Sequence, residues 1–412
     1  MNVPRTVICF LYFIMTLSCV AAALHATARV NKSPDKTNNF QRDTIPRKDL
    51  IDVLQSIVKS KKQIDERKTP KKLVVSVAPA AGYSLTTGFA GLVSGNAAFL
   101  TGGGKDQNTS TFSSTIEYTG KNQKTAYLFS NVWGRENKFD LVGDWRYFIY
   151  PQNTYGLGSL TTEDNANLVN YSYLRFYETA LKKISQDNFI GIGYNLDDHY
   201  NITQEGTKDG SVTDFQKYGL ASHSVSSGLN LTLLHDDRRN PINPQGGSYF
   251  NIVYRSNFHF LGSDQDWQSL QLDLRKYVKL SPGSNNILAF WSLSWFTFGN
   301  PPYLDLPSTG WDAQANSGRG YIQGRFRGKD MLYLESEYRF GITQNGLFGG
   351  VVFANAETFS GWPGNQFQKL LPAAGAGLRL KFNKHSNTNI CLDYGVGVNG
   401  SKGFFVNLGE VF

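Results

Sequence analysis

The sequence has 412 residues, of which 14% are aromatic and 18% are charged, and its formal net charge is +8. The positive charge belongs to one short region: residues 29–72 hold thirteen Lys and Arg against six Asp and Glu, whereas residues 73–412 hold twenty-seven of each. Aromatic residues are nearly lacking among these basic residues, which argues against nucleic-acid binding. No apolar run after residue 72 approaches the ~20 residues of a membrane-spanning helix.

Residues 1–23 have the features of a secretory signal peptide. Arg5 precedes the apolar run VICFLYFIMTLSCV, and the following AAA has the small residues that a signal peptidase requires. We expect this segment to be removed; the alternative is lipid attachment at Cys19, although the usual aliphatic residue three positions upstream is lacking. Once the signal is removed, Cys391 is the only cysteine left, so no internal disulfide is expected.

Residues 24–72 form a basic arm that we expect to be disordered, because the arm is polar and highly charged. A short amphipathic helix is predicted within it at RKDLIDVLQSIV. Two interpretations of the arm stay open. It is a solvated linker, or it contacts anionic lipid headgroups or an acidic partner.

From Leu73 onward, apolar and polar residues alternate with a period of two. In NICLDYGV, for example, Cys391, Asp393 and Gly395 share one face and the apolar residues share the other. QSLQLDLRKY and GLRLKF likewise place leucines on one face and charged residues on the other. Soluble antiparallel sheets show the same alternation, so the period alone does not decide which face meets water.

The number and length of the segments favour a membrane barrel. Many segments have ten or more residues, which is the ~9 to 11 that a membrane-spanning strand needs rather than the ~5 to 6 of a soluble one. Sixteen tilted strands enclose a lumen too wide for apolar side chains to fill, so the polar face should line water and the apolar face should meet lipid. We therefore predict an all-β fold, a 16-stranded antiparallel transmembrane β-barrel over residues 73–412. The predicted strands are centred near residues 78, 94, 113, 130, 145, 174, 193, 229, 252, 273, 292, 336, 352, 378, 393 and 408.

The junctions orient this barrel. Outer-membrane barrels have short periplasmic turns and long external loops. The long junctions all connect an odd-numbered strand to the next even-numbered one, which places the basic arm in the periplasm. They are residues 151–167, 198–222, 301–330 and 357–372.

Three stretches resemble conserved motifs of the BamA/TamA superfamily, also called bacterial surface antigens, of the Gram-negative outer membrane. They are HDDRRNPINPQGGSY, GRGYIQGRFRG and the final GFFVNLGEVF, and their order and spacing match that family over roughly residues 73–412. The resemblance implies that the first is a periplasmic turn motif. Its motif residues in this sequence are Asp237, Arg238, Asn240, Pro241, Pro244 and Gly247.

The same resemblance implies that the loop after strand eleven folds inward. Its motif is Arg319, Gly320 and Tyr321, and the family's arginine pairs with acids of the inner wall. Alternation along strand twelve independently places Glu335, Glu337 and Arg339 in the lumen. The charge of Arg319 would then be compensated, and breaking such a buried pair costs about 3 to 5 kcal/mol.

Asn355 stands where the family has a second inner-wall acid, in the stretch FANAE. We therefore expect one full negative charge opposite Arg319, on Glu337, with Glu335 and Asn355 nearby.

The last strand resembles the signal that the barrel-assembly machinery reads, and Phe404, Val406, Leu408, Glu410 and Phe412 are expected to share one face. The first strand carries Pro79, which cannot donate to a ladder. Either the seam between the first and last strands is short of hydrogen bonds, as in the lateral opening attributed to the family, or Pro79 forms a harmless bulge at the periplasmic rim.

The resemblance implies a role in outer-membrane protein insertion, assembly or translocation. Members with this role carry periplasmic POTRA modules, and residues 24–72 are too few for one, so a separate periplasmic subunit is expected. A passive plugged channel or structural barrel is the alternative. An outer-membrane hydrolase is a distant third, suggested by DDHY at Asp197–Tyr200 and HSVSSG at His223–Gly228. We expect no catalytic residue, metal or cofactor, and as partners outer-membrane lipid, the assembly machinery and a client protein.

Overall fold

The computed structural model describes residues 46–58, 73–84, 86–102, 107–219, 221–281, 284, 286–384 and 386–412. The predicted signal peptide and most of the predicted basic arm lie outside these residues.

Sixteen antiparallel strands form one nearly closed sheet, which confirms the predicted fold class and strand number. Each predicted centre lies within one of these strands. A three-residue strand, Gln152–Thr154, continues the fifth strand and pairs with the sixth. The sixteen strands are β1 (Leu73–Ser84), β2 (Gly88–Phe99), β3 (Ser110–Thr119), β4 (Lys124–Trp133), β5 (Phe139–Ile149), β6 (Asn167–Ser185), β7 (Asn188–Gln204), β8 (His223–Asp236), β9 (Gly247–Asn257), β10 (Trp267–Lys279), β11 (Ile287–Gly299), β12 (Asp330–Gly341), β13 (Phe348–Phe359), β14 (Leu371–Asn383), β15 (Thr388–Val396) and β16 (Lys402–Leu408).

The strands follow one another around the sheet in chain order. Each pairs with the next in an antiparallel ladder, from β1–β2 to β15–β16. The two end strands, β1 and β16, lie side by side, with Cα atoms within 8 Å of each other. Among the described residues, no hydrogen-bonded ladder joins them, and we call this junction the seam.

The two faces of the sheet differ in polarity, as the alternation predicts. On β8, Leu229, Leu231 and Leu233 are exposed on the outer face, while Asn230 and Thr232 between them are buried on the inner face. An apolar outer face and a polar inner face are the reverse of a soluble barrel, and this is the polarity of a barrel in lipid.

The interior is not empty. Two clusters of buried apolar side chains lie between the inner faces of the strands and the segment 300–329. The first includes Trp291, Tyr321 and Phe326, and the second includes Phe148 and Tyr303. Aromatic side chains fill part of the wide lumen because they have the volume that smaller apolar residues lack.

One predicted junction is wrong. Residues 198–222 were expected to form a loop, but β7 continues to Gln204 and the connection begins after it. The residues Asp197–Tyr200 therefore lie in a strand, and the connection contains the short helix α2 (Asp214–Tyr218).

The amphipathic helix predicted in the arm is present as α1 (Leu50–Val58). It lies beside the turns after β12 and β14. Asp52 forms an ion pair with Lys384 at 2.8 Å, and Lys48 N–H donates to the carbonyl of Asn345 at 3.0 Å. The Lys384 ammonium hydrogen-bonds the Asp52 carboxylate and lowers its pKa. No helix in the described residues has the length and apolar character needed to cross a membrane.

The outward face of β8 should not tolerate a charge. Leu231→Arg places a guanidinium against lipid near the middle of the strand, which should lower the free energy of unfolding by about 2 to 4 kcal/mol. Urea titration of the chain folded into vesicles measures this loss. The folded fraction at each urea concentration is read from the band of the folded barrel on a gel of unboiled samples.

Asn251→Arg is the matched control, because Asn251 of β9 lines the interior cavity. The assignment of faces is contradicted if the two variants lose the same stability.

Candidate functional site

The segment 300–329, between β11 and β12, contacts the inner face of strands from both halves of the barrel. Arg146 of β5 donates to the carbonyl of Ala313 at 2.8 Å, and Ser226 of β8 donates to the Asp305 carboxylate at 2.5 Å. On the other side, Thr309 donates to Glu357 of β13 at 2.8 Å. We infer from these contacts that the segment occupies the lumen, and we call it the inner segment.

Arg319 is the most heavily paired side chain of the inner segment. Its guanidinium contacts the carboxylates of Glu335 and Glu337 on β12, and it lies 2.6 Å from the carboxylate of Asp393 on β15. The guanidinium carbon also lies 3.7 Å from the centre of the Phe353 ring. Burial alone would lower the pKa of Arg319, but the three carboxylates outweigh burial and raise it well above its usual range.

The expected single negative charge opposite Arg319 is wrong, because three carboxylates surround it. Asn355 does not face the guanidinium; its amide donates to the backbone oxygen of Arg319 at 2.9 Å. Sequence reasoning missed Asp393 as a partner. A signal was present, since alternation along β15 already placed Asp393 on the polar face.

The Arg319 contacts are part of a larger buried network. Arg339 contacts Glu337 at 2.6 Å, and Arg379 contacts Asp393 at 2.5 Å and Glu410 at 2.8 Å. Each charge has an opposite charge beside it, which offsets the large cost of taking ions out of water. We call these seven side chains the charge network: Arg319, Arg339, Arg379, Glu335, Glu337, Asp393 and Glu410.

Glycine lets the inner segment approach the wall closely. Gly320 has φ +114°, and a Cβ at this position would lie 2.7 Å from the Cβ of Ala373 on β14. Across from it, a Cβ on Gly395 of β15 would lie 2.8 Å from the Gly320 nitrogen. Any side chain at either position would force Arg319 away from its carboxylates.

Tyr321 fixes the segment just after this close approach. Its hydroxyl donates to the carbonyl of Pro372 at 2.8 Å and accepts from the Val398 N–H at 3.1 Å. The three motif residues Arg319, Gly320 and Tyr321 thus contact β12, β14, β15 and the β15–β16 connection.

Asp305 joins the inner segment to the opposite wall. It lies 3.6 Å from Nδ1 of His199, whose ring stacks on Tyr173 at 4.3 Å. Burial raises the pKa of the Asp305 carboxyl to about 7, and the negative charge of Asp197 contributes to this rise.

The histidines considered for hydrolysis have other partners. His223 Nε2 lies 2.7 Å from Asp198, and the hydroxyl of Ser226 donates to Asp305 instead of contacting a histidine. These contacts do not pair Ser226 with His199 or His223, the serine and histidines on which the hydrolase interpretation was based.

The final residues do not follow the predicted face. Phe404, Val406 and Leu408 are exposed on the outer face, but β16 ends at Leu408 and the chain turns at Gly409, where φ is +94°. Phe412 is buried in the interior, with its ring centre 5.3 Å from that of Trp291. The expectation that Glu410 and Phe412 share the face of Phe404, Val406 and Leu408 is wrong, because Glu410 contacts Arg379 and lies near Arg339 inside the barrel.

The turn motif between β8 and β9 reaches the strands near the seam. The Asn240 amide donates to the carbonyl of Ser386 at 3.0 Å, and the carbonyl of Ile242 accepts from the Glu410 N–H at 2.9 Å. Pro241 lies between Asn240 and Ile242, and Pro244 follows within the same turn.

The remaining motif residues hold the base of this turn. Arg238 pairs with Asp236 at 2.8 Å and lies over the Tyr249 ring at 4.3 Å. The Asp237 carboxylate accepts from the Ser248 hydroxyl at 3.0 Å, and Gly247 has φ +100°, where a Cβ would lie 2.8 Å from that carboxylate.

Pro79 lies in the middle of β1, paired with Val93 of β2. The register from Leu73 to Ser84 has no shift, so the alternative of a bulge at Pro79 is wrong. Since proline has no N–H, Pro79 removes one donor from a strand whose other edge faces the seam.

A cavity of about 1390 Å³ occupies the part of the lumen away from the charge network. It reaches from the short turns, at Arg239 and Ser386, to the inner segment at Asp305 and Trp311. Within it, Arg255 pairs with Asp197 at 2.5 Å, and Arg175 lies 3.5 Å from the same carboxylate. The interior thus has a packed half and a half that holds open space.

No protein-family model matches the sequence, and no curated protein matches it. Among solved structures, BamA from Haemophilus ducreyi lacking POTRA domains 1–3 is 15% identical with a TM-score of 0.54, over 81% of this chain and 70% of that one. CdiB from Acinetobacter baumannii is 14% identical with a TM-score of 0.54, over 82% and 60% of the two chains. CdiB from Escherichia coli is 10% identical with a TM-score of 0.53, over 83% and 63%.

The chain has the barrel fold of BamA and CdiB. The matched region covers less than two thirds of either CdiB chain. At these identities the similarity establishes the fold, and it agrees with the family resemblance of the three sequence motifs.

Arg319→Ala should lower the free energy of unfolding by about 3 to 5 kcal/mol, because it leaves buried carboxylates without their shared counter-charge. Urea unfolding in detergent measures the loss, and limited proteolysis within 300–329 reports whether the inner segment is released.

Arg325→Ala is the matched control. Arg325 lies in the same segment but donates to the carbonyl of Thr161 at 2.9 Å. A loss from Arg319→Ala no larger than the control's would contradict the role of the charge network.

Proposed function

We propose that this chain is an outer-membrane barrel that inserts or translocates protein segments through its seam. The observation that carries the proposal is the pair of adjacent strands β1 and β16, between which the described residues form no ladder. Every other neighbouring pair of strands is hydrogen-bonded, so this is where the wall opens at the lowest cost. A client strand that pairs with either free edge gains the backbone hydrogen bonds that lipid cannot supply.

The inner segment supports this proposal by keeping the barrel intact while the seam is free. Its contacts with β5, β8, β12, β13 and β15 brace the wall from inside. A sheet with two unpaired edges would otherwise have no restraint on its curvature. With the rest of the wall held by the inner segment, the seam is the part of the wall that can move.

We also propose that the short turns and α1 face the periplasm and that the long connections face outward. The lengths of the connections support this orientation, since outer-membrane barrels have short periplasmic turns. A separate periplasmic subunit would then meet the barrel on the side of the short turns, where the cavity begins at Arg239 and Ser386.

A passive plugged channel is the second candidate, and the cavity favours it. If this were the function, ions would enter the cavity from the short turns and stop at the inner segment. Conductance in planar bilayers that appears only after deletion of residues 305–328 would support it, with the seam playing no part.

A disulfide across the seam should separate the two candidates. Each double variant has one cysteine on β1, at Val75 or Val77, and one on β16, at Val406 or Leu408. All four positions are exposed. The assay measures how fast an eight-stranded outer-membrane barrel, diluted from urea, inserts into proteoliposomes that contain the variant. Oxidation should abolish the acceleration of insertion, because β1 and β16 can no longer separate. Reduction should restore it.

The control pair is Val93→Cys with Ile116→Cys, which lie opposite each other in the β2–β3 ladder. This disulfide locks strands that are already hydrogen-bonded and should leave insertion unchanged. Full insertion activity with the seam locked would exclude the proposed function.

A further inference from the structure

The helix α1 is attached to the barrel by its polar side. Asp52 and Asp49 cap each other's backbone: the Asp52 N–H donates to Asp49 at 2.9 Å, and the Asp49 N–H donates to Asp52 at 3.0 Å. The same two carboxylates bind Lys384, Asp52 through the ammonium at 2.8 Å and Asp49 through the backbone N–H at 2.9 Å. The turn after β14 thus holds the start of the helix through charge and hydrogen bonds.

The apolar side of α1 is less well covered by protein than the polar side. At 100° per residue, Leu50, Val53 and Leu54 lie on the side of the helix opposite Asp52. Leu54 is 53% exposed, and Leu50 and Val53 are only partly buried. Neither buried apolar cluster of the described residues includes them.

A helix of this length needs tertiary contacts. Nine residues are too few for stability in water, where helices shorter than ~12 to 15 residues are marginal. Polar contacts at one end do not supply the apolar burial that stabilises short helices in proteins. Something apolar must therefore cover the free side of α1.

The outer face of β14 supports lipid as that cover. Leu378 and Phe382 are exposed on the lipid-facing side, and Phe382 lies two positions before Lys384. The apolar belt of the barrel therefore ends beside the residue that holds α1. Arg47 and Lys48, which precede Asp49 at the start of the helix, are exposed cations and suit lipid phosphates.

We propose that α1 is an interfacial helix, lying at the boundary of headgroups and acyl chains along the rim of short turns. Leu50, Val53 and Leu54 enter the acyl region, while Arg47 and Lys48 meet headgroup phosphate. The inference goes beyond the proposed function and requires only that the barrel spans a bilayer. It gives the chain a lipid contact separate from the strands.

Fluorescence quenching tests the lipid contact directly. A single cysteine replaces Leu54 in the full chain, carries an environment-sensitive fluorophore, and is reconstituted in phosphatidylethanolamine–phosphatidylglycerol vesicles containing nitroxide-labelled lipid. Gln55→Cys is the matched control, one position away on the exposed polar side. Cys391 is fully buried and stays in place, and label on the unchanged chain gives the background.

The lipid nitroxide should quench the label at position 54 several-fold more than the label at 55, and aqueous iodide should give the reverse order. Equal quenching at the two positions overturns the proposal. A label at 54 that is shielded from both quenchers also overturns it, because protein then covers the helix, either another part of this chain or a second copy.

A second variant tests the energetic role of the same face. Leu54→Asp should increase tryptic cleavage at Arg47 and Lys48 several-fold in vesicles, while Ser56→Asp on the polar side should not. Both variants should migrate as the folded barrel on a gel when the sample is not boiled, which shows that the barrel itself is folded. Unchanged cleavage in Leu54→Asp overturns the proposal. The seam-disulfide experiment tests the proposed function separately, and its outcome does not depend on the result for α1.

Discussion

Backbone hydrogen bonding in lipid is the constraint on which this structure depends. Hydrocarbon offers no partner to an exposed N–H or C=O, so the strands must satisfy one another and the sheet must curl until its ends meet. Fifteen consecutive ladders achieve this around the barrel, and the seam is where it is incomplete. The structure concentrates its unsatisfied edges at one place, and that place is where we propose that client segments enter.

Curling the sheet creates a second problem, because sixteen strands enclose more space than wall side chains can fill. We infer that the inner segment fills part of that space, and a cavity of about 1390 Å³ occupies another part. Polar walls accept this segment only if its charges are paired, and the charge network does this with three arginines and four carboxylates. Close packing at Gly320 and Gly395 brings the backbone near enough for Arg319 to reach both β12 and β15.

The charge network also links the interior to the seam. Glu410 lies just beyond β16 and binds Arg379, while the Val411 carbonyl accepts from Asn316 of the inner segment at 2.7 Å. The edge strand is therefore paired with β15 and tied to the inner segment at Ser401, just before it, and at Asn407 near its end, while no ladder of the described residues joins it to β1. A strand held in this way can separate from β1 without leaving the barrel, which is consistent with the proposed opening of the seam. At the same rim, α1 is held by Lys384 on one side and, in our proposal, by lipid on the other.

Period-two alternation in the sequence determined the strand number, the strand positions and the two faces, because the geometry of a strand sends successive side chains to opposite sides whatever its neighbours are. It also determined that Glu335, Glu337 and Asp393 lie on the inner face, and local motifs singled out Arg319. Only the tertiary structure decided that these three acids meet around one guanidinium, since β12 and β15 are separated by two strands and come together through the lumen. The inward turn at Gly409 was likewise decided by tertiary contacts: alternation extends a face along a strand, but arginines from β12 and β14 draw Glu410 and Phe412 off it.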